Sequence, residues 1–455
     1  SGRNADTGAG ARDKEAGEAG MMPEDRSCAK EEKAAYAAWM AETVEPYLKE
    51  HGEKGYLKME DGMSIAYRRY FLPDAGKCVV ISHGFCEFAE KYNEVAYRFL
   101  QAGYSVYVPE HRGHGYSGRE VDDPELVHVQ SYDSYAADLA RFVETVVSPG
   151  EEHRIVFAHS MGGAIAILAL ERYPQLFEAA VLSAPMCAMQ TGKYPRFLAK
   201  LLAEFCCLTG KGKCFATLAG QQGFSETPQF EGSSCPSKER YDYMFQKRLL
   251  DEHYRTYGGS YAWVRAGLRA SRELMRRENL AKIKVPVLLF AAGRDHMVDN
   301  DAIVRFVEET ERTKLFFMPD SRHEIFNADE RTRTKYYDEI FRFINEEEVK
   351  DYENENELVF VMNNGKIRVT QHYDFFKNVK VVRSYAEIEN ISKENNTMEA
   401  SKDEIERKLE DILEKHGVRK RHQRLGFHRI FKLRHLDLNA DCGGFRTGAR
   451  CGCRQ

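Results

Sequence analysis

Arg154-Ile155-Val156-Phe157-Ala158-His159-Ser160-Met161-Gly162-Gly163-Ala164 is the run on which the reading of this chain turns. Arg154 to Ala158 is short, largely apolar and β-branched, as in a buried strand. From Met161 to Tyr173 the residues are rich in Ala, Ile and Leu and free of proline, as in a helix. Ser160 therefore falls on a very tight strand-to-helix turn. Gly162 and Gly163 remove side chains where helix and strand must approach closely. This is the pattern of a nucleophile elbow, which lifts a serine hydroxyl clear of a sheet and leaves the next backbone N–H facing the substrate. Ala158 stands where the first glycine of G-x-S-x-G is usual and is still small enough for the turn. The pentapeptide alone is common, so the flanking strand and helix carry the argument.

Outward from this run, short apolar segments alternate with amphipathic ones. Strands are expected at Cys78–Ser82, Ser105–Pro109 and Ala179–Ser183, and helices at Ala89–Gln101 and Ser131–Val147. After Pro185 the rhythm breaks. Met186 to Asn279 holds no clear strand, only apolar helical stretches such as Phe197, Leu198, Leu201, Leu202 and Phe205, and aromatic clusters. Such an insertion is large enough for a helical cap. The alternation resumes with strands at Val285–Ala291 and Lys314–Met318 and helices at Asp301–Glu309 and Thr332–Asn345. The fold class expected is α/β, a doubly wound, mostly parallel sheet with an inserted helical cap.

At the amino-terminal side, Tyr56–Met59 and Ile65–Arg69 flank Glu60-Asp61-Gly62 as a hairpin. Ala29 to Gly52 is an amphipathic helix carrying Tyr36, Trp39, Met40, Val44, Tyr47 and Leu48 on one face. That face can pack on the main domain or meet a lipid surface. Beyond Glu346 an acidic, Asn-rich run reads as a linker. Leu358–Met362 and Lys366–Thr370 around Asn364-Gly365 read as a small hairpin. Ser401 and Glu404 form a capping box opening a helix that stops at Gly417. The expected division is a disordered leader over 1–25, the core over 26–188 and 279–346, and the cap over 189–278. A linker with a small hairpin follows over 347–395, then a helix and basic tail over 396–455.

Composition narrows the partners. A net charge of −5 over 455 residues gives no field that argues for nucleic acid. No apolar run is long enough to span a bilayer. Ser1 to Gly20 lacks the apolar core of a secretory signal, and Met21 or Met22 reads as the natural start. The 11 cysteines are odd in number and mostly scattered through apolar segments, as reduced intracellular thiols are, so a cytoplasmic location is expected. Cys442, Cys451 and Cys453 fit no standard zinc spacing, and no metal is expected. Arg112-Gly113-His114-Gly115 lacks the Lys-Ser/Thr of a phosphate loop and reads as a tight structural turn. Nothing in the residues indicates an oligomeric state.

An elbow serine needs a base and an orienting acid, in the chain order Ser, Asp or Glu, His. The strand Val285–Ala291 leads into Ala292-Gly293-Arg294-Asp295, and the next leads into Pro319-Asp320-Ser321-Arg322-His323. Ser160, Asp295 and His323 thus fall at one sheet edge in the right order, where open α/β sheets hold their sites. Asp299 and Asp320 are rival acids, with the plainer reading of a loop cap or turn residue. His159 and His296 belong to packing or the rim. An oxyanion hole needs two N–H donors: Met161 supplies one by position, and Phe85, after His83-Gly84, is the expected second. Losing one such donor typically costs about 2.7–4 kcal/mol of barrier.

Several stretches carry a family resemblance. They are His83-Gly84-x-x-Glu87 with Lys91-Tyr92, the run from His111 to Gly118, the run from Ala158 to Ile165, and His323-Glu324-Ile325. His128-Val129 and Gly258-Gly259-x-Tyr261-x-Trp263 add to them. On these the chain from about Tyr56 to Ile344 resembles the α/β-hydrolases of the monoacylglycerol lipase and bacterial lysophospholipase group. The resemblance implies a small-molecule fatty-acyl ester substrate, a cap over the acyl chain and no cofactor. It implies Ser160 as nucleophile, His323 as base and Asp295 as orienter. Glu87, Phe197, Leu201 and Phe205 are the expected substrate contacts, with peripheral contact to a membrane face. Two residues depart from the pattern: Glu110 stands where Asp commonly precedes Arg-Gly-His-Gly, and Cys86 replaces a small residue beside the oxyanion loop. A serine aminopeptidase, a short-chain esterase and a catalytically inert binding protein are the competing readings.

Overall fold

The computed structural model describes residues 35–73, 75–192, 194–216 and 223–344, and the strand backbones of 356–363, 367–376, 381–390 and 428–433. The expected leader, the capping-box helix, the Asn364-Gly365 turn and the three carboxy-terminal cysteines lie outside the described residues.

Eight strands form the hydrolase part of the sheet: β1 (Gly52–Lys58), β2 (Ser64–Tyr70), β3 (Lys77–Ser82), β4 (Ser105–Pro109), β5 (His153–His159), β6 (Ala179–Ser183), β7 (Val287–Ala292) and β8 (Thr313–Met318). Their spatial order is β1-β2-β4-β3-β5-β6-β7-β8. β1 and β2 form the expected antiparallel hairpin, β2 joins β4 antiparallel, and every pair from β4 to β8 is parallel. The six parallel strands are almost entirely buried, which is why they read as continuous apolar runs. β7 starts two residues later than its apolar run because Pro286 has no N–H to give the ladder.

Beyond β8 the backbone continues as β9 (Asn356–Asn363), parallel to β8, then β10 (Ile367–Phe376) and β11 (Val381–Asn390), each antiparallel to its predecessor. A further strand, β12 (His428–Leu433), runs parallel to β11, so the expected small hairpin is part of a four-stranded extension of the same sheet. The sequence signal for a hairpin is local, whereas edge pairing to β8 is a tertiary event.

Two apolar cores lie on the two faces of the sheet. On one, Met40, Val44 and Leu48 are buried, with Tyr36, Trp39 and Tyr47 packed against the cluster. The amphipathic amino-terminal face thus packs on the main domain, not on a lipid surface. It runs through a π-helical turn, Met40–Val44, into helix α1 (Glu45–His51). On the other face, helix α4 (Met161–Arg172) is buried along almost its whole length, which accounts for its Ala, Ile and Leu content. Helices α2 (Asn93–Gln101) and α3 (Tyr132–Val146) flank the sheet as expected. Between β6 and β7 the chain forms α5 (Arg196–Leu208), α6 (Lys238–Leu250), α7 (Tyr261–Leu274) and α8 (Arg277–Leu280), with no strand among the described residues there. Helices α9 (Asn300–Glu309) and α10 (Glu330–Ile344) close the core. No described helix is long and apolar enough to cross a membrane.

Candidate active site

The turn between β5 and α4 has the geometry its residues predict. Ser160 adopts φ 53°, ψ −119°, a conformation that L-residues rarely take and that costs on the order of 1–3 kcal/mol. The surrounding packing enforces it. A Cβ on Gly162 would stand 2.1 Å from the Ser82 carbonyl oxygen, and one on Gly163 would stand 2.5 Å from Cβ of Pro185. Only glycine lets α4 start this close to β3 and to the loop after β6. The strained serine is the consequence.

At the same sheet edge, Nδ1 of His323 donates to Oδ2 of Asp295 at 2.6 Å, and both side chains are buried. The other oxygen, Oδ1, accepts the N–H groups of Met297 (2.7 Å) and Val298 (3.2 Å). Burial pushes the Asp295 carboxyl up, but these hydrogen bonds outweigh it and hold it below the usual carboxylate range. An ionised Asp295 keeps the proton of a neutral His323 on Nδ1 and leaves Nε2 as acceptor. The rival acids are engaged elsewhere. Asp299 caps α9 by accepting the N–H groups of Asp301 and Ala302, and Asp320 faces Arg294 at the surface. His159 lies beneath His323, ring centroids 4.6 Å apart, and donates Nδ1 to the Ser183 carbonyl. Burial lowers its pKa to about 4 and keeps it neutral. His296 is exposed.

Ser160 and His323 line one cavity of about 410 Å³, walled by Phe85, Phe88, Phe224, Tyr241, Phe245 and Met297 among others. Its size suits a small-molecule site. Met161 opens α4, so its N–H has no intrahelical acceptor. In the loop after β3, the Gly84 N–H is taken by Glu87 Oε2 at 2.6 Å. The next N–H, on Phe85, is the one this loop can offer. The Phe85 ring is stacked on Trp263 of α7 at 4.1 Å, which ties the loop to the cap. Cys86 follows with φ 56°, and burial pushes its thiol up to about 12, so it is no reactive thiolate.

One expectation about substrate contacts, the apolar stripe of α5, is corrected by the geometry. Phe197, Leu201 and Phe205 do not line the cavity and are 63, 62 and 63% exposed. On α5 the small residues Ala199 and Ala203, with Cys206, are the buried ones, and the bulky stripe points outward. Helical spacing identifies a stripe but does not say which stripe meets the protein. Glu87 lies at the cavity wall, but its carboxylate is occupied. Oε1 accepts from Lys91 at 2.7 Å, and Oε2 accepts from Gly84 N and from Tyr92 Oη at 2.5 Å. It organises the loop.

Lys91 and Glu324 complete a buried cluster that sequence reasoning missed as a unit. Lys91 Nζ donates to Glu87 Oε1 and to Glu324 Oε1, each at 2.7 Å. Glu324 also accepts from Ser234 and Asn327. One ammonium thus bridges the loop holding Phe85 to the residue after His323. Burial raises both carboxyls, but the lysine outweighs it and holds each below the ordinary range. Such carboxylates stabilise the fold above their unfolded pKa near 4.3, and the contribution is lost as pH falls. Lys91→Met leaves two buried carboxylates without a cation. We expect it to lower unfolding free energy at pH 7.5 by about 3–5 kcal/mol. The deficit should shrink as pH approaches 4, because the orphaned carboxylates can then take up protons. Urea unfolding at the two pH values checks this, and an equal deficit at both would refute it.

Glu110, the departure before Arg112, is also accounted for. Its carboxylate accepts the N–H groups of Ala89 (2.9 Å) and Tyr116 (2.7 Å) and knits two loops behind the site. Arg112 is held by Asp138 at 2.6 and 2.7 Å, which makes its glycine turn a structural one.

Residues 73–330 match the family described as serine aminopeptidase, S33. Lysophospholipase L2 of Escherichia coli is 30% identical over 275 residues, 60% of this chain and 79% of that protein. Monoacylglycerol lipase of Mycolicibacterium smegmatis is 38% identical over 125 residues, 27% of this chain and 42% of that protein. In fold, the chain is similar to a carboxyl esterase of Bacillus coagulans (TM-score 0.52, 19% identity, 64% of this chain and 97% of that one). It is similar too to a soluble variant of Saccharomyces cerevisiae monoglyceride lipase (TM-score 0.50, 17% identity, 66% and 96%). With the parallel sheet and the elbow turn, these matches lead to one assignment: the chain belongs to the serine aminopeptidase S33 family of α/β-hydrolases.

Proposed function

We propose that this protein is a serine hydrolase that cleaves carboxylic esters of fatty acids, lysophospholipids or monoacylglycerols, through an acyl-enzyme. The observation that carries the reading is the buried 2.6 Å His323–Asp295 pair, whose histidine shares a cavity with the strained Ser160. In this mechanism Nε2 of His323 takes the Ser160 proton as Oγ attacks the ester carbonyl. The N–H groups of Met161 and Phe85 receive the oxyanion. Asp295 holds the imidazole tautomer and stabilises the imidazolium. His323 then protonates the departing alcohol and later activates the water that releases the fatty acid. No cofactor takes part.

The family description raises a second reading, an aminopeptidase, and the cavity does contain the two carboxylates of Glu87 and Glu324. A free α-amine would need one of them unoccupied. Lys91, Tyr92, Ser234, Asn327 and the Gly84 N–H already occupy their oxygens. The rest of the wall is mostly aromatic and apolar, which favours an acyl chain. Fluorophosphonate labelling, together with turnover of glyceryl esters of rising length and of aminoacyl amides, tests the choice. Each methylene buried is worth about 0.8 kcal/mol, so kcat/KM should rise severalfold per carbon until the cavity is full. Cleavage of amides with no rise along the ester series would overturn the ester reading.

The outward stripe of α5, Phe197, Leu198, Leu201, Leu202 and Phe205, supports a peripheral contact with a lipid surface. The described cysteines are all free thiols, which supports a cytoplasmic location. Leu201→Asp with Phe205→Asp should leave turnover of a soluble short ester within about twofold, because both side chains are already solvated. Binding to phospholipid vesicles, followed by co-sedimentation, should drop by an order of magnitude or more. Unchanged sedimentation would remove the stripe from the account.

A further inference from the structure

Helix α6 turns Tyr241, Met244, Phe245 and Arg248 toward the cavity, at spacing i, i+3, i+4, i+7. The first three are apolar or aromatic, as an acyl site requires. Arg248 is not. Its Nε donates to the Tyr254 carbonyl at 2.9 Å and its Nη2 to the Thr256 carbonyl at 2.6 Å. The Phe224 and Tyr257 rings stand 4.6 and 5.2 Å from the guanidinium carbon. No carboxylate pairs with it among the described residues. Glu125 acts on it only through space, while its own Oε2 accepts the Phe224 N–H at 2.8 Å. Arg255, over the same Phe224 ring, has Glu226 at 3.5 Å, and Lys91 at the cavity wall has two carboxylates. Arg248 is thus a part-buried permanent cation at the wall of the cavity that holds Ser160, with three of its five N–H groups unspent.

A desolvated charge without a counter-ion is costly, and a guanidinium recognises phosphate oxygens with several N–H groups at once. We propose that Arg248 receives the phosphate of a glycerophospholipid head group, so that this cavity favours lysophospholipids over neutral monoacylglycerols. The proposal rests on the ester-hydrolase reading and names its substrate class. The carbonyls of Tyr254 and Thr256 hold the guanidinium in place, and Phe224 and Tyr257 keep water from its surface. The acyl chain extends along Tyr241, Met244 and Phe245.

The test compares hexanoyl-lysophosphatidylglycerol with hexanoylglycerol, both below their micellar concentrations. Relative to wild type, Arg248→Met should lower the ratio of kcat/KM for phospholipid over glyceride by about 10- to 100-fold. Arg248→Lys, which keeps the charge and loses the fork, should lower it less. A second arm uses Ser160→Ala with and without Arg248→Met and measures binding of the two ligands by calorimetry. There the loss of affinity should be confined to the phosphate ligand. A ratio within twofold of wild type, or equal losses for both ligands, would overturn the role of Arg248. Absence of turnover in wild type with phosphate-selective binding intact would overturn the ester reading and leave the phosphate site standing.

Discussion

Ser160→Ala should lower kcat/KM for a soluble ester by roughly 10⁴- to 10⁶-fold, the scale on which elbow nucleophiles act. The fold should be untouched. The turn is held by Gly162 against Ser82 and by hydrogen bonds of Ser160 to the end of β6 and the loop after it (Ser160 N to Ser183 O, 3.2 Å; Met186 N to Ser160 O, 2.9 Å). Alanine keeps these and carries the same strain at φ 53°. Urea unfolding should therefore give an unchanged midpoint while burst-phase labelling by a fluorophosphonate disappears. Ser160→Gly should be equally inactive but more stable, since relief of about 1–3 kcal/mol of strain exceeds the roughly 0.5–1 kcal/mol of added chain entropy. Activity within a few-fold of wild type in either variant would remove Ser160 from the mechanism.

Asp295→Asn should lower kcat by about 10⁴-fold, through the imidazole. Oδ1 of Asp295 accepts the Met297 and Val298 N–H groups, so the carbonyl oxygen of an asparagine must stay there. Its amide N–H₂ would then face His323 Nδ1 where Oδ2 now accepts. Nδ1 becomes the acceptor, the proton moves to Nε2, and the imidazole can no longer take the Ser160 proton. Asp299→Asn should be nearly silent, because asparagine caps a helix as well as aspartate does. Paired kinetics of the two variants decide between the acids, and a dead Asp299→Asn with an active Asp295→Asn would reverse the assignment.

What could be read in the chain follows from the range of each signal. Strands β3 to β8 are buried on both faces, so each appears as a local apolar run, and α2, α3, α9 and α10 each keep one polar face. The order of Ser160, Asp295 and His323 at the ends of β5, β7 and β8 is likewise local to each strand end. Phe85 and Met161 are adjacent to motifs and needed only their neighbours to be singled out.

The wall of the site is a different matter. Phe197, Leu201 and Phe205 and the set Tyr241, Met244, Phe245 and Arg248 both have helical spacing, and nothing local separates the outward stripe from the inward one. That choice is made by the close approach of α5 through Ala199 and Ala203, which only small residues permit. The Lys91 bridge between Glu87 and Glu324 spans 233 residues of chain, so no spacing rule could reveal it. The extension β9 to β12 is added by edge pairing, contacts whose partners lie apart in sequence. The sequence by itself determined the buried strands β3 to β8, the elbow and the order of the proposed triad, because strand burial and tight turns are written in adjacent residues. Only the tertiary structure decided which cap face meets the substrate and which charges stay unpaired, because both depend on what a side chain is buried against.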